Sequence, residues 1–302
     1  MGVSTRKRVE TTIDGRGFPM TISILLPLAE ELRTPNVFDA ALGLAQQLQA
    51  RVTAAYIRPD PEAAARAIPE MIMAGGVTRE SITRETAQAA ATAEARFEEW
   101  RSRHDGRATL AGRSGGWAAI WSEHVGEFEP IITRYGRLSD FIVLPRPSAG
   151  EIAAQRCADA AIFGTGRPTL LVGDSLPTAM TDHVIVAWNG SLEASRAVFG
   201  AMSLLRRAKR VTIFTALEYG AEAVDLDDLA ASLRDRGIRT PEVIFPTNER
   251  STGAALVMAA ERYHATLIVM GAYTHSRLRE SFLGGVTKHL LAHAPVPLLM
   301  CH

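Results

Sequence analysis

The residues best suited to chemistry lie in the C-terminal half of the chain. Trp188-Asn189-Gly190-Ser191 follows the apolar run His183–Ala187 and opens a helix-patterned stretch, with Ser191 in the N-cap position. Further on, Gly271-Ala272-Tyr273-Thr274 follows another apolar run, and Phe282-Leu283-Gly284-Gly285-Val286-Thr287 opens a second helix pattern. Paired glycines at a helix start let a ligand approach the backbone closely. The first free N–H groups and the positive end of the helix dipole then favour an anion. Thr287 can add a hydroxyl to a phosphate oxygen. A plain turn is the alternative that Gly-Gly before a helix leaves open.

Other chemistry-bearing groups read less sharply. Arg277 and Arg279 either reach phosphates or are simply solvated. His275 invites a catalytic role, yet no nucleophile, base and orienting group stand in a defined order. His289 and His293 lie four apart on one helix face, a spacing that suits a metal, but no carboxylate or thiolate stands at a recognisable offset. Cations near a helix C-terminus are the other reading of that pair. Asp225–Asp228 reads as the start and exposed face of a helix. A phosphate loop of the Walker type needs a lysine in register, and none of the three lysines (Lys7, Lys209 and Lys288) has that context. Cys157 and Cys301 stand far apart, outside disulfide or zinc spacing, and read as reduced thiols of a cytoplasmic protein.

The elements that must position these groups come in two sets. Ile22–Leu28, a helix pattern through Phe38, Leu42, Ala45 and Leu48, and Arg51–Ile57 are echoed by His183–Ala187, a pattern through Ala194–Leu205, and Arg210–Phe214. Asp140–Leu144 and Pro168–Val172 are matched by Thr266–Met270 and Pro297–Met300. Short apolar runs alternating with helix-period segments are the signature of a parallel sheet covered on both faces. The expected fold is therefore α/β, with two tandem open parallel-sheet domains. A junction near Gly173–Asp182 divides 20–174 from 181–302, and residues 1–19 read as a disordered extension. The first half carries an insertion with a long helix over Thr86–Arg103, whose Phe97 and Trp100 should pack inward; Trp117 and Trp121 read as core or interface aromatics. A length of 302 residues agrees with about two domains. The balance of 33 basic and 33 acidic side chains excludes a cationic coat for nucleic acid. No run approaches the roughly 18 apolar residues of a membrane span.

Gly271, then Gly284 and Val286, closed by His293-Ala294-Pro295-Val296-Pro297-Leu298-Leu299, resembles the universal stress protein family. ATP-binding members of that family carry Gly-x2-Gly-x9-Gly-[Ser/Thr] between the fourth strand and the last helix. The resemblance spans both halves in element order, over roughly 21–172 and 183–302, and the motif is specific only in the second. It implies nucleotide-binding-like domains with strand order 3-2-1-4-5, which sets the Asn189 turn beside the Gly271 loop at the switch point. It also implies that Ala187, Trp188 and Asn189 line an adenosine and that Ala216 touches the adenine edge. Gly271 would admit the ribose and phosphates, while Gly284, Gly285, Val286 and Thr287 would cradle the phosphates.

Three positions depart from the pattern: Thr274 replaces the second glycine, Gly285 the Ser/Thr, and Asn189 the common acidic residue. These departures predict weakened or altered nucleotide binding. In the first half Ala29 sits at the acidic position, Pro145 replaces the first glycine, and Gln155-Arg156-Cys157-Ala158 stands where the cradle should be. That half reads as a structural partner without ATP. The family also pairs domains through their last strands, which implies Leu170–Val172 against Leu298–Met300.

The resulting expectation is a cytoplasmic stress-response regulator binding ATP or another adenine nucleotide in its second domain, with or without magnesium. No catalytic or metal residues, no nucleic acid and no membrane are expected, and a homodimer is allowed. The alternatives are a tandem interaction or dimerisation scaffold that binds no nucleotide, and a slow ATP hydrolase. No general base or magnesium-holding carboxylate near the loop supports the latter.

Overall fold

A computed structural model describes residues 22–30, 32, 36–63, 78–104, 117–215, 226–239, 242–244, 251–272 and 285–302. The extension 1–19, and Ala216, Asp225, Thr274, His275, Arg277, Arg279 and Gly284, lie outside the described residues. The apolar runs in the middle of the sheet become strands because they are buried on both faces. β1 (Ser23–Leu28), β2 (Arg51–Arg58), β3 (Ala118–Val125), β4 (Phe141–Pro145) and β5 (Thr169–Val172) belong to the first half. β6 (His183–Ala187), β7 (Arg210–Phe214), β8 (Glu242–Ile244), β9 (Leu267–Gly271) and β10 (Leu298–Cys301) belong to the second. β4, β5 and β10 are buried at every position, as interior strands of a doubly covered sheet must be.

The helices between them are α1 (Val37–Leu48), α2 (Arg79–Arg103), α3 (Phe128–Gly136) and α4 (Ile152–Thr165) in the first half. The second half has α5 (Leu192–Gly200), α6 (Met202–Leu205), α7 (Leu226–Asp235), α8 (Thr252–Arg262) and α9 (Gly285–His293). All ten strands form one sheet in the order β3-β2-β1-β4-β5-β10-β9-β6-β7-β8. Each half therefore has the expected 3-2-1-4-5 order, read from its own outer edge inward. Every pairing within a half is parallel.

The halves are joined by the one antiparallel pairing in the sheet, with Leu298 opposite Leu171, Leu299 opposite Leu170 and Met300 opposite Thr169. This is the pairing implied by the family resemblance. Its consequence for function is directional. Strands in the two halves run oppositely, so their carboxyl ends, where ligands gather in such sheets, emerge at opposite edges.

The core is two layers, one on each face of the shared sheet. α1 and α5 cover one face, where Leu44 and Val198 are fully buried. α4, α8 and α9 cover the other, through residues such as Ile162, Leu256 and Leu290. Both layers run unbroken from one half into the other.

α2 covers β2 and β3. Phe97 is fully buried and Trp100 is 5% exposed. The Phe97 ring lies 5.5 Å from Trp121, and Trp100 lies 5.4 Å from Trp117. The inward packing expected of both residues is observed, and Trp117 and Trp121 complete the aromatic cluster. The helix begins earlier than its apolar pattern suggested. Thr78 and Ser81 form a reciprocal capping box there, with Ser81 N donating to Thr78 Oγ1 at 3.1 Å. The residues after this cap are charged and polar, so hydrophobic periodicity could not register them.

Candidate functional site

The second half builds its switch point from the ends of β6 and β9 and the starts of α5 and α9. β6 lies between β7 and β9, with Ala187 opposite both Phe214 and Met270. The ladder continues one residue further, since Trp188 N donates to Phe214 O at 2.8 Å. Gly190 adopts φ +72°, a left-handed turn conformation that favours glycine. Asn189 Oδ1 accepts from Ser191 N at 3.2 Å, and Ser191 Oγ accepts from Ala194 N at 3.1 Å. Ser191 is thus the N-cap that its position predicted. The Asn189 carbonyl is committed to its own turn, so its Nδ2 amide is the group it presents to a ligand. Trp188 is 8% exposed, and its indole N–H has no partner among the described residues.

Gly271 has a structural reason to be glycine. A Cβ there would fall 2.5 Å from Ala194 N and 2.7 Å from the Glu193 carbonyl carbon. The end of β9 therefore passes directly beneath the first turn of α5, holding the two loops of the switch point together. On its other side β9 pairs with β10, Gly271 opposite Cys301, and Ala272 N donates to Cys301 O at 2.9 Å.

α9 runs from the carboxyl edge of the sheet back to the start of β10, so its N-terminus is at the switch-point edge. Gly285 is exposed there, and a Cβ would meet nothing within 4 Å. Val286 is half-buried against the lower core layer. Thr287 is 3% exposed, so its side chain lies in the interior next to this helix start. Two residues along a helix turn the side chain by about 200°, so with Gly285 facing out Thr287 faces the interior. What α9 offers an anion is backbone.

The two α9 histidines are spent on each other and on the helix. Their rings stack at 4.4 Å and His293 Nδ1 lies 2.9 Å from His289 O. Gly253 of α8 packs against His289, where a Cβ would fall 2.8 Å from the histidine Cβ. Among the described residues no cluster of three metal-ligating side chains occurs. Nor is any described helix long and apolar enough to cross a membrane.

The first half shows why its own switch point differs. α4 starts at Ile152, so Gln155–Ala158 stand inside the helix rather than at its mouth. Gln155 N donates to Glu151 O at 3.0 Å, and Cys157 and Ala158 face the sheet, 0% and 1% exposed. Arg156 pairs with Glu129. The amide of Gln155 is thus consumed within the helix. Just before the helix start the Glu151 carboxylate accepts from Ser148 N at 3.0 Å, folding this acidic side chain back onto the preceding turn. Pro145, at the end of β4, supplies no N–H at all.

Residues 180–302 match the universal stress protein family. A universal stress protein from Archaeoglobus fulgidus DSM 4304 superposes with a TM-score of 0.68 at 16% identity, covering 93% of this chain and 98% of that one. A functionally unknown protein from Pseudomonas aeruginosa PAO1 superposes with a TM-score of 0.54 at 13% identity, covering 93% and 92%. A universal stress protein solved in complex with cAMP is 22% identical over 41% of this chain and 99% of its own, with a TM-score of 0.31. No curated protein matches the chain. At these identities the structural likeness is one of fold.

Proposed function

Taking as premise that the chain carries a universal stress protein domain over residues 180–302, we propose that this domain binds an adenine nucleotide at its switch point. On this reading the protein is a cytoplasmic, nucleotide-responsive stress regulator rather than an enzyme. The observation that carries the proposal is the open start of α9. Gly285 is exposed with free space around it, at the edge where Trp188 and Asn189 end β6. Helix-start amides in that position suit a phosphate. The Asn189 amide and the unpartnered Trp188 indole N–H are donors that the base or ribose of a nucleotide could use. ATP, with or without magnesium, is the ligand the resemblance suggests. Val286 and Thr287 would contribute backbone only, and Ala216, Thr274 and Gly284 complete the set proposed from sequence.

The test combines identification of any nucleotide released on denaturation with thermal unfolding in added ATP. Ligand at a hundred times its Kd stabilises the native state by about 2.7 kcal/mol, a readily measured shift. Gly285→Asp separates binding from folding. A carboxylate at a helix start is neutral or favourable to stability, yet repels a phosphate at the same amides. The variant should unfold normally and lose the ATP shift. An unchanged shift would refute the site.

A second reading, a tandem scaffold without nucleotide, draws support from Gly271 and Thr287. The glycine is explained by packing against α5 and the threonine by burial. A wild-type protein with no released nucleotide and no shift at millimolar ATP would leave that reading in place.

A further inference from the structure

A second pocket lies at the opposite edge of the sheet, at the carboxyl ends of β1 and β2, and has a volume of about 780 Å³. It exists because of the long inserted helix. α2 has 25 residues where α7, between the corresponding strands of the second half, has 10. Ala89 and Ala93 face the pocket from α2, and these small side chains leave the space open. The floor is apolar and aromatic, made by Leu28, Leu32, Phe38 and Tyr56. Arg84, Gln88, Thr92 and Arg96, spaced at i, i+4, i+8 and i+12, bring one polar stripe of α2 to the rim. Arg84 and Arg96 are exposed and make no ion pair among the described residues.

The lining selects against a nucleotide and for something simpler. Glu30 and Glu85 share the rim, so two carboxylates balance the two guanidinium groups and a polyanion gains little. A single acid group still finds a guanidinium fork, the side chain best matched to a carboxylate or sulfonate. Phe38 and Tyr56 offer ring surfaces to a flat apolar body. The volume is that of an ordinary small-molecule site.

We propose that this pocket binds a small monoanion with an aromatic body, its acid group held by one of the two rim guanidiniums, Arg84 or Arg96. The site is separate from the one proposed for the nucleotide and stands or falls independently of it.

A matched pair of fluorescent probes tests this on the full-length chain. Anilinonaphthalene sulfonate and phenylnaphthylamine share the same aromatic body and differ by the acid group. The sulfonate should bind at least about tenfold tighter than the neutral amine, as expected for a charge-assisted contact. The Arg84→Gln/Arg96→Gln double variant should erase that preference and leave phenylnaphthylamine binding unchanged. Both arginines are exposed, so folding is not at stake. Ala93→Trp fills the pocket from a partly exposed helix position and should weaken both probes by about tenfold or more. ATP should displace neither probe. Three results would overturn the proposal: equal binding of the two probes, sulfonate binding that survives the double variant, or binding of either probe that survives Ala93→Trp.

Discussion

Arg146, one residue past the end of β4, donates from Nη1 to the carbonyl oxygen of Ala294 at 2.6 Å. The bond crosses from the first half to the C-terminal end of α9 in the second. There a guanidinium meets both an otherwise orphaned helix carbonyl and the negative end of the helix dipole. A Cβ at Gly173 would fall 2.6 Å from the same guanidinium, so the chain leaving β5 makes room for it. Burial pulls the Arg146 pKa down and Asp174 pulls it back up. An arginine so placed stays charged. The residue thus ties the first half of the chain to the last helix of the second.

Arg146→Leu should lower the free energy of unfolding by about 1.5–3 kcal/mol, the range for losing a hydrogen bond to a charged group. Arg146→Lys keeps the charge and should recover part of the loss. Urea denaturation of the three proteins measures both effects, and a Leu variant as stable as wild type would show that the contact contributes nothing.

Gly271→Ala should destabilise by about 1–3 kcal/mol, because the new methyl would press on the backbone of α5 rather than on a movable side chain. Gly285→Ala meets open space and should show no such penalty. Thermal melts of the pair check the contrast. Equal melting temperatures would mean that the approach of β9 to α5 relaxes freely.

His124 sets a pH dependence. Burial, followed by the nearby Arg134, depresses its pKa below the usual 6.5, with Glu123 opposing. The unfolded chain therefore binds more protons than the folded one between the two values, so stability rises with pH across that window. As pH falls through about 6.5 toward the folded pKa, this contribution is lost. His124→Gln should flatten that part of the stability profile, measured by urea midpoints across the range. A variant whose profile matches wild type would place the titration elsewhere.

Both thiols should be silent in the native state. Cys157 is 0% and Cys301 2% exposed, and burial raises the Cys301 pKa, keeping it protonated. Ellman's reagent should report no fast-reacting thiol in the folded protein and two after unfolding. Rapid native labelling of either would point to local opening at the central strands.

Eight of the ten strands were legible because each is a short apolar run between turn residues; β3 and β8 were not, since β3 carries Ser122, Glu123 and His124 on a partly exposed edge and β8 is three residues long. His183–Ala187 and Arg210–Phe214 begin and end where their residue pattern says they should. The N-terminal part of α2 was not legible, since Glu80, Thr83, Arg84 and Glu85 are exposed and polar and Ile82 alone carries no apolar period. Ser191 could be read as a cap because its hydroxyl acts on the backbone three residues on, a local interaction.

Non-local contacts gave no such signal. Gly271 carries the sequence mark of a ligand loop, but its neighbour is the backbone of Glu193 and Ala194, far away in the chain. Thr287 has the right hydroxyl, and only the phase of α9 against the sheet turns it inward. The cradle at Gln155–Ala158 fails through the point at which α4 begins, a matter of hydrogen-bond register rather than residue type. The pocket beneath α2 needs Leu28, Tyr56 and Ala93 brought together, and no spacing of theirs hints at it.

The sequence by itself thus determined two α/β units, the positions of eight of their ten strands and a helix start that could take an anion. These follow from local pattern, because burial and backbone geometry act on neighbouring residues. The tertiary structure decided which side chains face that helix start, how Arg146 joins the halves, and that the carboxyl ends of the two sets of strands lie at opposite edges of one sheet. Those follow from the antiparallel meeting of Leu170 and Leu299, a contact between distant segments that exists only once both halves have folded.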